Sequence, residues 1–98
     1  MTGTEPRSRK LEELSWPEVR EALDAGFTTV VVAAGSIEQH GPHLPLLTDT
    51  LIGDRLVAAI VARLDGALQG PTIPFGCSEH HMSFPGTLTL GGRPSRHW

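Results

Sequence analysis

The chain has 98 residues, of which 39% are hydrophobic and 19% charged, and it carries a net charge of −3. This composition fits one small globular domain and excludes both a disordered chain and the basic footprint of a nucleic-acid-binding protein. A single cysteine, Cys77, excludes an intrachain disulfide, and no apolar run approaches the roughly 20 residues of a membrane helix. We therefore expect a cytoplasmic protein that binds neither nucleic acid nor membrane.

The N-terminal part of the chain predicts a tail followed by a helix. Residues 1–10 offer little to bury and are expected to form a flexible tail. Ser15 and Glu18 have the spacing of a capping box, in which each side chain satisfies a backbone N–H of the other. We therefore predict a helix over residues 16–25, ended by Gly26 in a left-handed conformation.

The next segments predict a strand, a helix and a second strand. The continuous apolar run over residues 27–34 is typical of a strand covered on both faces. A further strand is predicted over residues 71–75 in spite of its two prolines, and a third over residues 87–90. Between the first two, residues 50–64 predict a helix with an apolar stripe at every fourth residue and two valines beside it: Ile52, Leu56, Ile60 and Leu64, with Val57 and Val61. This order indicates a parallel sheet with a helical crossover, hence an α/β fold.

The loop after the first strand carries metal-binding residue types. Its sequence, GSIEQHGPHLPLLTD, spans residues 35–49 and contains Glu38, His40 and Asp49. Alternate side chains of an extended segment share one side, so Glu38 and His40 would face the same way with Cα atoms about 6.6 Å apart. That separation suits a pair of metal ions roughly 3.5–4 Å apart. Asp49 falls at the start of the predicted helix, where the helix dipole favours a carboxylate.

This loop and a second motif, FGCSEHHMSFPGTL over residues 75–88, resemble the creatininase family of metal-dependent amidohydrolases. The resemblance implies the N-terminal portion of a parallel or mixed sheet flanked by helices, a β-α-β unit preceded by a helix. It further implies two divalent ions, Zn²⁺ or Mn²⁺, with Glu38 on the first, His40 on the second and Asp49 shared by both. Water activated by these ions would hydrolyse a C–N amide bond.

The same resemblance implies a small-molecule amide substrate (a cyclic amide, a formamide or a peptide) and a homo-oligomer at full length. A downstream N-G-H motif of the family has no counterpart here. We therefore interpret residues 11–90 as a partial creatininase-like domain and residues 91–98 as an unmatched C-terminal tail, and we expect the chain alone to be a poor catalyst. The alternative is a non-catalytic truncated paralogue or a module that pairs through its open sheet edge.

The second motif holds further candidates. Ser78 and His80 are predicted to contact substrate, with a capped turn of exposed polar groups as the alternative. Cys77 near His80 or His81 suggests a thiol nucleophile, but a lone cysteine is more often a small buried apolar residue. His43 either orients a ligand or hydrogen-bonds within its loop, and we favour the loop. No catalytic residue is assigned beyond the metal ligands.

Overall fold

The computed structural model describes residues 5–90, which contain two helices and two strands. Helix α1 is Trp16–Asp24, strand β1 is Thr29–Val31, helix α2 is Thr48–Ala62 and strand β2 is Ala67–Gln69. Single 3-10 turns precede α1 and follow β2, at Leu11–Glu13 and Glu79–His81. The described residues form two compact units, one of residues 5–32 with Arg55–Pro71, the other of Ala33–Asp54 with residues 72–90.

In the first unit, α1 starts where its sequence predicts. The Ser15 side chain accepts from the Glu18 N–H, and the Glu18 carboxylate accepts from the Ser15 N–H at 2.8 Å, so the predicted capping box is present. Gly26, just past the end of the helix, has φ of 99°, which a side chain would disfavour. The predicted helix and both of its end signals are confirmed.

The first unit also contains a two-stranded parallel sheet. Strand β1 pairs with β2 in the register Thr29 with Ala67 and Val31 with Gln69, and α2 lies between the strands in sequence. The predicted α/β character is therefore confirmed. Two details of the prediction are wrong. Strand β1 is short and half exposed, not covered on both faces. The second strand lies at Ala67–Gln69, before the predicted segment 71–75, because the two prolines of that segment have no N–H to donate to a neighbouring strand.

The core of the first unit is small. Ala22, Phe27 and Leu68 are buried together, with Leu11 and Leu14 packed against them. Arg9 stacks its guanidinium 5.0 Å from the centre of the Phe27 ring and donates to the carbonyls of Val61 and Ala67. Lys10 forms an isolated parallel bridge with Gln69. Residues 9 and 10 therefore pair with β2, although they were predicted to belong to the flexible tail. Residues 1–4 of that predicted tail lie outside the described residues.

Helix α2 buries the two valines predicted beside its apolar stripe and leaves the stripe itself exposed. Val57 and Val61 are buried, whereas the four residues of the predicted stripe are 43–59% exposed: Ile52, Leu56, Ile60 and Leu64. A strict spacing of four advances by about 40° per step around a helix of 3.6 residues per turn, so such a stripe winds away from any one partner. Neither α2 nor the other described helix is long and apolar enough to cross a membrane.

The second unit is built on extended segments held by isolated bridges. Ala34 pairs with Ile73 in parallel and Ile37 pairs with Leu88 in an antiparallel bridge, so the strands predicted over 71–75 and 87–90 are reduced to single bridges. Gly35 allows the loop to approach the first turn of α2, because a Cβ at this position would lie 2.6 Å from Thr50 Cα. The loop that contains the metal-binding residue types therefore packs against the first turn of α2.

Candidate metal centre

Glu38 is held by donors on both of its carboxylate oxygens. Ser78 Oγ donates to Oε1 at 2.7 Å, and His81 Nε2 lies 3.0 Å from Oε2. The Ser78 hydrogen bond is the main cause that lowers the pKa of Glu38 below its ordinary value, while desolvation opposes it. The Glu38 side chain is 14% exposed, so the carboxylate is still reachable from solvent.

Asp49 lies in the first turn of α2, as predicted. Its Oδ2 accepts a hydrogen bond from Ser36 Oγ at 2.7 Å, and its Oδ1 lies 3.1 Å from His40 Nε2. Thr50 fixes this arrangement, because its hydroxyl accepts from the Ser36 N–H and donates to the Ser36 carbonyl. The loop and the helix start are therefore joined by hydrogen bonds on both sides of the carboxylate.

His40 contacts the backbone of Glu38 and the carboxylate of Asp49. Its Nδ1 lies 3.2 Å from the Glu38 carbonyl oxygen and its Nε2 faces Asp49. The hydrogen bond to that carbonyl is the largest cause that raises the pKa of His40, and the charge of Asp49 adds to it. The charges of Glu38 and Asp49 both act on His40, so the three residues lie near one another. Their assignment as ligands stays a prediction.

The two predicted substrate contacts occupy different environments. Ser78 is 1% exposed, its hydroxyl is directed to Glu38 and its N–H donates to Thr89 Oγ1. His80 is exposed, and its ring centre lies 4.1 Å from that of His81. Contact of either residue with substrate stays a prediction. Cys77, weighed as a nucleophile or a buried apolar residue, is exposed.

His81 is the site residue that the sequence analysis did not assign. Its Nε2 contacts Glu38 and its Nδ1 lies 2.9 Å from Gln39 Nε2. Glu38, His80 and His81 also place one ligand atom each within 4.8 Å of one another. The pairing of His80 and His81 in one motif was visible in the sequence, but the contact with Glu38 joins two distant loops. Local spacing gives no sign of it.

The residues of this site suit a divalent cation. His40 offers its Nδ1–H to a carbonyl, which leaves Nε2 as the lone-pair nitrogen of the neutral ring, 3.1 Å from a carboxylate oxygen. Two facing lone pairs repel each other unless a proton or a metal ion lies between them. Imidazole nitrogen and carboxylate oxygen are ligands of Zn²⁺, and carboxylates also suit Mn²⁺.

A cavity of about 300 Å³ opens in the same unit. Gln39, the residue between Glu38 and His40, contributes to its wall. The other lining residues are glycine, proline and large apolar side chains: Gly41, Pro42, Leu46, Phe84 and Pro85. An apolar cavity with one amide at its edge is the usual composition of a small-molecule pocket.

Residues 12–95 match the family described as creatininase, creatinine amidohydrolase. The chain belongs to the creatininase family. The match continues past residue 90, where the predicted domain ended. Residues 91–98, predicted to be an unmatched tail, lie outside the described residues.

Individual creatininase relatives agree with this assignment. A mycofactocin precursor peptide peptidase from Mycobacterium ulcerans (strain Agy99) is 38% identical over an alignment of 82 positions, which covers 76% of this chain and 33% of the relative. Two creatininase structures, a mutant of the Zn-Zn type and a creatininase Mn, each share 32% identity, with TM-scores of 0.72 and 0.73. Each alignment covers 90% of this chain and 36% of the solved chain. The chain thus spans about a third of the length of these relatives.

Proposed function

We propose that this chain contributes to the metal centre of a hydrolase that cleaves a C–N amide bond. The observation that carries the proposal is the contact of His40 Nε2 with Asp49 Oδ1 at 3.1 Å, beside Glu38, whose charge also acts on His40. Two divalent ions, Zn²⁺ or Mn²⁺, are the proposed cofactors, in keeping with the metals of the related structures. Glu38 would hold one ion, His40 the other, and Asp49 both.

Each residue has a defined task in this proposal. When bound, the ions supply a water of lowered pKa and polarise the amide carbonyl. Ser36 and Ser78 keep the carboxylates of Asp49 and Glu38 oriented through hydrogen bonds of 2.7 Å. The apolar cavity beside Gln39 would bind the substrate and exclude bulk water from the reacting amide.

A peptide is the substrate class that we favour. The mycobacterial relative, which is 38% identical, is a peptide peptidase, whereas the creatininase structures are 32% identical. Ser78 and His80 remain proposed substrate contacts, Ser78 from its position against Glu38 and His80 from its exposure beside the site. The cytoplasmic location and the homo-oligomer of a full-length protein also remain predictions.

The function is tested with a chimera in which residues 12–95 of this chain replace the matched segment of the Mycobacterium ulcerans relative. We expect the chimera to hydrolyse a peptide amide after loading with Zn²⁺ or Mn²⁺. The same chimera with Asp49→Asn should be inactive, whereas Asp65→Asn, which changes an exposed turn residue, should retain activity. A folded, metal-loaded chimera without hydrolysis would argue against the proposal.

A second candidate function is protein pairing without catalysis. Within residues 5–90, β1 has β2 as its strand partner, and Val30 and Val32 are 47% and 46% exposed. An exposed apolar edge strand invites pairing with another chain. Metal content and molecular mass distinguish the two functions. The hydrolase needs bound metal, whereas a pairing module forms its complex even in the presence of a chelator.

A further inference from the structure

The two histidines that contact the carboxylates of the site differ in the neighbours of their Nδ1 atoms. His40 Nδ1 faces the Glu38 carbonyl oxygen, which can only accept a hydrogen bond. In the neutral ring, His40 therefore carries its proton on Nδ1 and presents the Nε2 lone pair to the site. This is the form in which an imidazole binds a metal ion.

The neighbour of His81 Nδ1 has the opposite character. Gly41 N–H donates to Gln39 Oε1 at 3.0 Å, and a backbone N–H can only donate, so this contact fixes which end of the amide is oxygen. The other end is the Gln39 amino group, which lies 2.9 Å from His81 Nδ1. His81 Nδ1 must then accept, and its proton resides on Nε2, 3.0 Å from Glu38 Oε2.

Gln39 itself is well fixed. Its backbone N–H donates to Thr87 Oγ1 at 3.1 Å, and Thr87 is 5% exposed. A reversed Gln39 amide would direct its amino group at the Gly41 N–H and lose that hydrogen bond. The amide therefore has one favourable orientation, and the tautomer of His81 follows from it.

We propose that His81 is a positioning residue for Glu38 and not a metal ligand, with its tautomer set by Gln39. His81 Nε2–H holds Glu38 Oε2 while the Ser78 hydroxyl holds Oε1. Each oxygen of a carboxylate has two lone pairs, so one on each remains for a cation. The grouping of Glu38, His80 and His81 accordingly does not act as a separate metal site. The inference rests on the proposed function only in that Glu38 is taken as a ligand.

The tautomers are measured by ¹⁵N NMR of the imidazole rings in the metal-free chain at a pH where the rings are neutral. We expect His81 to show a pyridine-like Nδ1 and a protonated Nε2, and His40 the reverse, with exposed His43 as the internal reference. In Gln39→Glu, a carboxylate replaces the amino group, so His81 Nδ1 should carry a proton and lose its pyridine-like shift. A protonated Nδ1 on His81 in the unmodified chain would overturn the proposal.

Zinc binding provides a second measurement. His81→Gln can still donate to Glu38 and should bind as many zinc ions as the unmodified chain. His81→Ala lacks this donor, and we expect it to bind zinc about 10–100-fold more weakly than the unmodified chain. The zinc affinity of His81→Gln should lie between the two. His40→Gln should lose an ion. Loss of an ion in His81→Gln as well would make His81 a ligand and refute the proposal. If the unmodified chain binds no zinc, the proposed function fails, while the NMR result still decides the tautomer.

Discussion

Ser78 Oγ donates to Glu38 Oε1 at 2.7 Å, and the two residues lie 40 positions apart in the sequence. This hydrogen bond joins the two motifs of the chain at the carboxylate that we assign to a metal ion. Because Ser78 is 1% exposed, its hydroxyl has no solvent to replace Glu38 as a partner. The serine predicted from the motif to touch substrate thus orients a candidate metal ligand.

Replacing Ser78 tests this relationship. Ser78→Ala removes the donor that contributes most to the lowered pKa of Glu38, so in the metal-free chain the pKa of Glu38 should rise. We expect the free energy of unfolding to fall by about 1–3 kcal/mol and the zinc affinity by about 10–100-fold. Ser83→Ala, an exposed serine in the same motif, is the control. Equal zinc affinity in the two variants would show that the hydroxyl does not orient the ligand.

Gly35 controls how closely the loop approaches α2. In Gly35→Ala the added Cβ would lie 2.6 Å from Thr50 Cα, a backbone atom that cannot rotate away. We expect a loss of about 1–3 kcal/mol in urea unfolding, as for an overpacked core, together with weaker zinc binding because Ser36 and Asp49 move apart.

Gly76→Ala is the matched control for this substitution, since its Cβ would lie at an ordinary distance of 3.7 Å from the Gly35 carbonyl oxygen. It should unfold within a few tenths of a kcal/mol of the unmodified chain, about the effect of a surface change. If both variants are equally stable, the close packing of the loop on the helix is not required.

The Glu18 carboxylate, bound by Arg7 and Ser15, makes the stability of the chain depend on pH in acid. The hydrogen bond from Arg7, helped by the Ser15 N–H, lowers the pKa of Glu18 from 4.5 to about 2. A lowered folded-state pKa adds stability above the unfolded value of 4.5, and this stability is lost as the pH falls towards 2. Glu18→Gln keeps a capping side chain without the charge. The midpoint of its thermal unfolding should therefore change less with pH across this interval than that of the unmodified chain.

Glu21→Gln, a change of the same charge on the same helix, serves as the control for Glu18. It should leave the acid dependence between pH 4.5 and 2 close to that of the unmodified chain. A Glu18→Gln chain that loses stability as steeply as the unmodified chain over this interval would place the responsible carboxylate elsewhere.

Local signals in the sequence predict part of this fold well. Ser15 and Glu18 cap α1 because their interaction lies within one helical turn. Asp49 lies in the first turn of α2, as predicted, because a helix start favours a carboxylate. These features need no knowledge of distant partners.

Features that depend on distant partners were not predictable. His81 contacts Glu38 across two loops, and the tautomer of His81 depends on the Gly41 N–H acting through Gln39. On α2, the buried face contains Val57 and Val61, because what packs against a helix decides which apolar residues are covered. The sequence pattern included these two valines beside the stripe but did not show that they, and not the stripe, would be buried.

Zinc titration of the purified chain most directly tests the claim that Glu38, His40 and Asp49 bind a divalent cation together. Isothermal titration after chelator treatment should give zinc binding to the unmodified chain, loss of bound zinc in Asp49→Asn and nearly unchanged binding in His43→Ala. Circular dichroism of each variant establishes that the helices are retained. Equal zinc retention in Asp49→Asn and His43→Ala would contradict the account.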